Sequence, residues 1–190
     1  MGKRLIIGLG LVSFLGLAAQ LALSDDDYES RDEGGWSRVL KRKPDVAAVN
    51  NTRYQTECSS CHMAYPAGLL PARSWEKIMS GLSDHFGDNA ELDAQTTMEL
   101  TRYLVDNSAD KSNYRRSRQI MRSLTPAAVP LRISEVPYIR NKHDEIPPRL
   151  IRGNAKVGSL SNCSACHQNA QQGSFREAEI NIPGYGRWED

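Results

Sequence analysis

Cys58-Ser59-Ser60-Cys61-His62 is the stretch on which the reading of this chain turns. The spacing C-x-x-C-H is that of c-type haem attachment, in which two thiols add to the vinyl groups of a porphyrin and the histidine ligates the iron. On one helical turn, side chains at i, i+3 and i+4 share a face, so Cys58, Cys61 and His62 are expected to address one edge and one face of a flat macrocycle. The pattern returns at Cys163-Ser164-Ala165-Cys166-His167, and the two copies use all four cysteines of the chain. A local disulfide within each C-x-x-C, or a zinc site built from both pairs, would also employ these thiols. Neither needs a histidine directly after the second cysteine. Zinc pairs also stand roughly 15 to 20 residues apart, whereas residues 62–162 separate these two. Two covalently bound haem c groups are expected.

The chain has four histidines, His62 and His167 inside the motifs and His85 and His143 outside them. Two irons with one proximal imidazole each leave two axial positions, and two histidines remain. His85 follows Trp75, Ile78, Met79 and Leu82 at helical spacing, which predicts its imidazole on an apolar helix face. His143 lies one helical turn after Ile139. Bis-histidine iron is therefore expected at both sites, with His62 and His85 on the first and His167 and His143 on the second, because each pair is close in sequence. A crossed arrangement, with a distal histidine serving the other haem, competes with that pairing. Met63, Met79, Met98 and Met121 are rival ligands, although each also reads as apolar filling on a helix.

Residues 1–24 open with Lys3 and Arg4, continue through the uncharged apolar run Leu5 to Ala19 and reach small residues at Ala22 and Ser24, the layout of a signal peptide. An uncleaved anchor is the alternative. Residues 25–43 are charged, contain a Gly-Gly pair and show no period, and so read as a flexible leader. The remainder predicts a mainly α fold of two small haem-binding domains. In the first, 44–110, Pro44 suits a helix start, Ser74 is expected to cap a helix that carries His85 and ends at Gly87, and Asp93 to cap another that closes near Asn107. The second, 111–190, is expected to be largely irregular with short helices, because prolines at 126, 130, 137, 147 and 148 interrupt it. Ser112, Ser134 and Ser161 are its candidate caps.

The first half resembles a class I cytochrome c, with Tyr54 four positions before the first haem cysteine and the pair Tyr103-Leu104 on a late helix. The resemblance departs where that family's loop methionine would stand, since His85-Phe86-Gly87 occupies the place. Methionine raises the reduction potential relative to two imidazoles, so a low-potential haem is expected. The order ECSSCHMAYP, LLPARSWEKIM, DHFGDNAELD, PLRI, His143 and NCSACHQNA, over roughly residues 50–175, resembles the dihaem cytochrome c family associated with the monohaem cytochrome called sphaeroides haem protein. That resemblance implies a small periplasmic carrier with two bis-histidine haems. Its implied partners are that monohaem cytochrome and a membrane b-type cytochrome.

Coordination chemistry gives the same direction independently. An iron with imidazole on both sides has no open position, which disfavours catalysis and suits single-electron transfer, so neither an enzyme nor a small-molecule substrate is expected. A peroxidase-like or nitrite-reducing enzyme would need one iron to open. A dihaem subunit of a periplasmic reductase is another alternative. The net charge is only +1, yet residues 44–110 carry ten acidic against four basic side chains and residues 111–190 seven against thirteen. Such polarity can orient docking of a charged redox partner. The densest basic cluster is Arg115, Arg116, Arg118 and Arg122, which reads as a solvated helix face, as partners for haem propionates or as part of that docking surface. Nucleic acid is not an expected partner of an exported haem protein.

Overall fold

Asn51 starts the first helix by accepting the Tyr54 backbone N–H on its side chain at 2.8 Å, which satisfies one orphan donor of the first turn. The helix, α1 (Thr52–Cys58), ends at the first haem cysteine, so Cys61 and His62 lie in the turn that follows and not on the helix itself. The computed structural model describes residues 43–188. The expected signal peptide, and all of the expected leader but Lys43, lie outside the described residues.

After α1 come α2 (Ala72–Met79), α3 (Ala94–Asp106), α4 (Arg115–Ser123), α5 (Pro137–Asn141), α6 (Pro148–Ile151) and α7 (Cys163–Cys166). Strands β1 (Asn181–Ile182) and β2 (Gly186–Arg187) pair antiparallel. The fold is mainly α, with the longer helices in the first half and short pieces in the second. Among the described residues no helix is long and apolar enough to cross a membrane.

Several local expectations are corrected. Pro44 opens no helix: the N–H groups of Asp45 and Val46 donate to Gly173 O, and that of Val49 to Gln171 O, so this segment is tied to the far end of the chain. Gly173 sits at φ 80°, and a Cβ there would collide with the Val46 carbonyl, which explains why the contact is made at a glycine. Ser74 does not cap α2. That helix begins behind Pro71, an extended residue, and Ser74 lies buried in its first turn. The helix also stops at Met79, before Ser80-Gly81, and never reaches His85. Ser112, Ser134 and Ser161 likewise give way to Tyr114, Val136 and Asn162 at the starts of α4, α5 and α7. Asp93 does cap α3, accepting the Thr96 N–H at 2.9 Å, and Asn107 closes it.

The core explains why the halves are not separate bodies. α2 packs on α3, burying Trp75 and Met79 with Leu100 and Leu104, and Trp75 Nε1 donates to Ala67 O at 2.8 Å. The Tyr54 and Tyr103 rings meet at 5.6 Å. Ile120 of α4 and Val136 before α5 belong to this same cluster, and Ser117 Oγ donates to Gly68 O at 2.8 Å. The line expected at 110/111 divides two haem segments that share one core. Beyond α5 the core thins: Val157, Ala170 and Ile182 are the buried apolar side chains of residues 142–188.

Candidate functional site

At the first motif, His62 Nδ1 lies 2.7 Å from Met63 O. A carbonyl only accepts, so Nδ1 is a donor here, which leaves Nε2 as the nitrogen available to face a metal. His85 closes the 3-10 turn Leu82–Asp84. Its N–H donates to Asp88 O at 2.7 Å and the Asp88 N–H donates back at 3.3 Å, with Phe86 at φ 60° and Gly87 at φ 102° between them. Positive φ at both central residues makes a primed hairpin turn. Phe86 is not glycine, so this conformation costs of order 1 kcal/mol. It is held by Asp84 Oδ1, which accepts the Gly87 N–H at 3.1 Å, and by the Arg132 guanidinium 4.0 Å over the Phe86 ring. The result aims His85 at His62. Their ring centres are 6.2 Å apart, and burial, then the His62 and Arg132 charges, hold His85 below the usual imidazole range.

The second motif is built alike from different elements. His167 follows α7 and donates its backbone N–H to Cys163 O at 2.8 Å. His143, expected on a short helix with Ile139, stands just beyond α5 in the turn that follows, with Nδ1 2.7 Å from Ile139 O. The His143 and His167 ring centres are 6.1 Å apart. Burial, then His143 and Arg116, push His167 down to about 4, so it is held as the neutral imidazole that can ligate metal.

These side chains fit a haem. A metal–imidazole bond is about 2 Å and a ring nitrogen lies about 1 Å from its ring centre, so two imidazoles clamping one metal have centres about 6 Å apart. Both pairs show that spacing. A porphyrin brings four nitrogen donors of its own, so two imidazoles at this spacing suffice to complete the coordination of its iron. The four thiols are unbridged, which disfavours the disulfide reading. Burial pushes Cys58 and Cys163 up to about 11, so neither is a poised thiolate nucleophile. Of the rival methionines, Met79 is in the core and Met98 is exposed to solvent, while Met121 packs against the core.

The family model for dihaem cytochrome c matches residues 54–175. This chain belongs to the dihaem cytochrome c family. Solved dihaem cytochromes c agree. The one from Shewanella baltica is 46% identical with a TM-score of 0.62, over 73% of this chain and 98% of its own. One from Rhodobacter sphaeroides is 46% identical with a TM-score of 0.61, over 68% and 100%. No protein of curated function matches. Membership means that this dihaem cytochrome c carries two haem c groups, at the cysteine pairs 58/61 and 163/166, and it implies electron transfer.

Sequence reasoning missed a charge pair beside the second haem motif of this cytochrome. Arg116 turns inward from α4 with its side chain 18% exposed, 3.8 Å from Asp45 Oδ2, and its guanidinium lies 5.6 Å from the Phe175 ring. Phe175 in turn packs 5.3 Å from His167 and donates its N–H to Asp45 Oδ2 at 2.7 Å. Only helix phase separates Arg116 from its exposed neighbours, since it lies one turn before buried Ile120; nothing in the sequence marks Asp45. A fixed positive charge opposes the extra charge of ferric iron and a negative one favours it. Arg116→Gln should therefore lower the potential of the second haem and Asp45→Asn should raise it, with the first haem unmoved, in a spectroelectrochemical titration. Shifts of the same sign would contradict the assignment.

Proposed function

We propose that this cytochrome is a periplasmic single-electron carrier in which His62 and His85 ligate one haem iron and His167 and His143 the other. The observation that carries the reading is the pair of imidazole gaps, 6.2 and 6.1 Å. A haem iron held on both sides by imidazole changes oxidation state with little rearrangement and offers no open position to oxygen, peroxide or nitrite. The chain's own part is to fix those imidazoles. Met63 O and Ile139 O orient the rings of His62 and His143, the Phe86-Gly87 turn aims His85, and Phe175 shields His167. Export is supported by the composition of residues 1–24 and by the attachment of c-type haem outside the cytoplasmic membrane.

The proposed electron acceptor is a monohaem cytochrome of the sphaeroides haem protein type and the proposed donor a membrane b-type cytochrome. Docking is supported by the charge polarity of the chain and by α4, whose outward face presents Arg115, Arg118 and Arg122. Such a face suits an acidic partner and accelerates encounter most at low salt. With the monohaem cytochrome as acceptor in stopped-flow kinetics, Arg118→Glu with Arg122→Glu should slow association roughly tenfold at low ionic strength, and the difference should close as salt rises. Transfer that is slow at every ionic strength, or rapid carbon monoxide binding by the unmodified protein, would count against the carrier reading.

A further inference from the structure

Tyr65 touches both haem segments. Its ring lies 4.8 Å from that of His62, with 24° between the planes, and its hydroxyl donates to Ser161 O at 2.6 Å across 96 positions of sequence. Ser161 stands two residues before Cys163. The Tyr65 backbone is itself anchored, since the Tyr54 hydroxyl donates to Tyr65 O at 3.0 Å. A carbonyl only accepts, so the Tyr65 hydroxyl is the donor of the hydrogen bond to Ser161 O.

We propose that Tyr65 is the link through which the two haem sites exchange electrons, its ring stacked on His62 and its hydroxyl bonded to the peptide that leads into Cys163. This rests on the carrier reading above. One electron leaves the first iron, which is oxidised, and arrives at the second, which is reduced; Tyr65 is neither oxidised nor deprotonated. The route crosses one van der Waals gap, from the His62 imidazole to the Tyr65 ring, and one hydrogen bond. The rest is covalent: Ser161, Asn162 and the Cys163 side chain. Coupling falls off less steeply along bonds and hydrogen bonds than across empty space, so a path with a single short gap competes well with wider ones.

Tyr65→Phe keeps the stacked ring and removes the hydrogen bond; Tyr65→Leu removes both. Inter-haem exchange would be followed in the full two-haem protein after flash photoreduction. Tyr65→Phe should slow it severalfold, because a gap replaces the hydrogen bond to Ser161 O, and Tyr65→Leu should slow it further. Both irons should keep the low-spin spectrum and potentials of the unmodified protein, which a merely structural change would disturb. Unchanged exchange in Tyr65→Phe would overturn the proposal, whatever happens to the leucine variant, because that substitution preserves the packing. Failure of the underlying ligation would look different: high-spin iron would already be present before any substitution.

Discussion

Replacing His85 with alanine should leave one of the two irons high-spin and able to bind carbon monoxide while the other stays low-spin. The expectation follows from how singular the side chain's placement is. His85 reaches its position because Phe86 and Gly87 both take positive φ and because the turn is tied at Asp84, Asp88 and Arg132. A turn so constrained will not swing another donor into the gap. Met79, the methionine of the preceding helix, is fixed in the core against α3, and Met63 is adjacent to His62. The potential of the altered haem should rise, since one imidazole has been removed from its ferric state. Optical and paramagnetic resonance spectra of the ferric variant, with carbon monoxide titration of the ferrous one, read the effect. Two low-spin irons in His85→Ala would refute its role as a ligand.

A second large effect is expected from replacing Cys163 and Cys166 together with serine. Residues 142–188 bury only Val157, Ala170 and Ile182 among their apolar side chains, too little to offset the entropy of ordering so many residues. Two strands of two residues each add little. The haem must supply the core that the side chains do not. Without it, trypsin should cut at Arg149, Arg152 and Lys156 at least about a hundredfold faster, the ratio that corresponds to about 3 kcal/mol of lost local stability. Residues up to Asn141 should resist, because Ile120 and Val136 are anchored in the cluster with Leu69, Leu100 and Leu104. Uniform protection along the variant would mean that the second segment has a core of its own.

The chemistry of the sites was more legible than their architecture. Covalent attachment is written in adjacent residues, so Cys58, Cys61 and His62 and their second copy could be recognised by spacing alone. Asp93 was equally plain, since a cap acts within one turn. Counting singled out His85 and His143 as candidate ligands, but could not locate them. Both were expected on helices, and both stand in turns, because Ser80-Gly81 ends one helix and the other is only five residues long. Positive φ at a phenylalanine has no signature in composition. Contacts between distant positions were the least readable. Nothing near Asp45 announces Gly173 or Arg116, and nothing near Tyr65 announces Ser161, so the shared core of the two haem segments emerged only in three dimensions.

The proposed ligation puts two imidazoles on each iron. Low-temperature electron paramagnetic resonance of the ferric protein, on material shown by pyridine haemochrome to carry two haems per chain, tests it most directly. Two low-spin signals of bis-imidazole type are expected, with no high-spin component and no change on adding cyanide. A high-spin signal from half of the iron, converted to low spin by cyanide, would show an exchangeable position on one haem and contradict it.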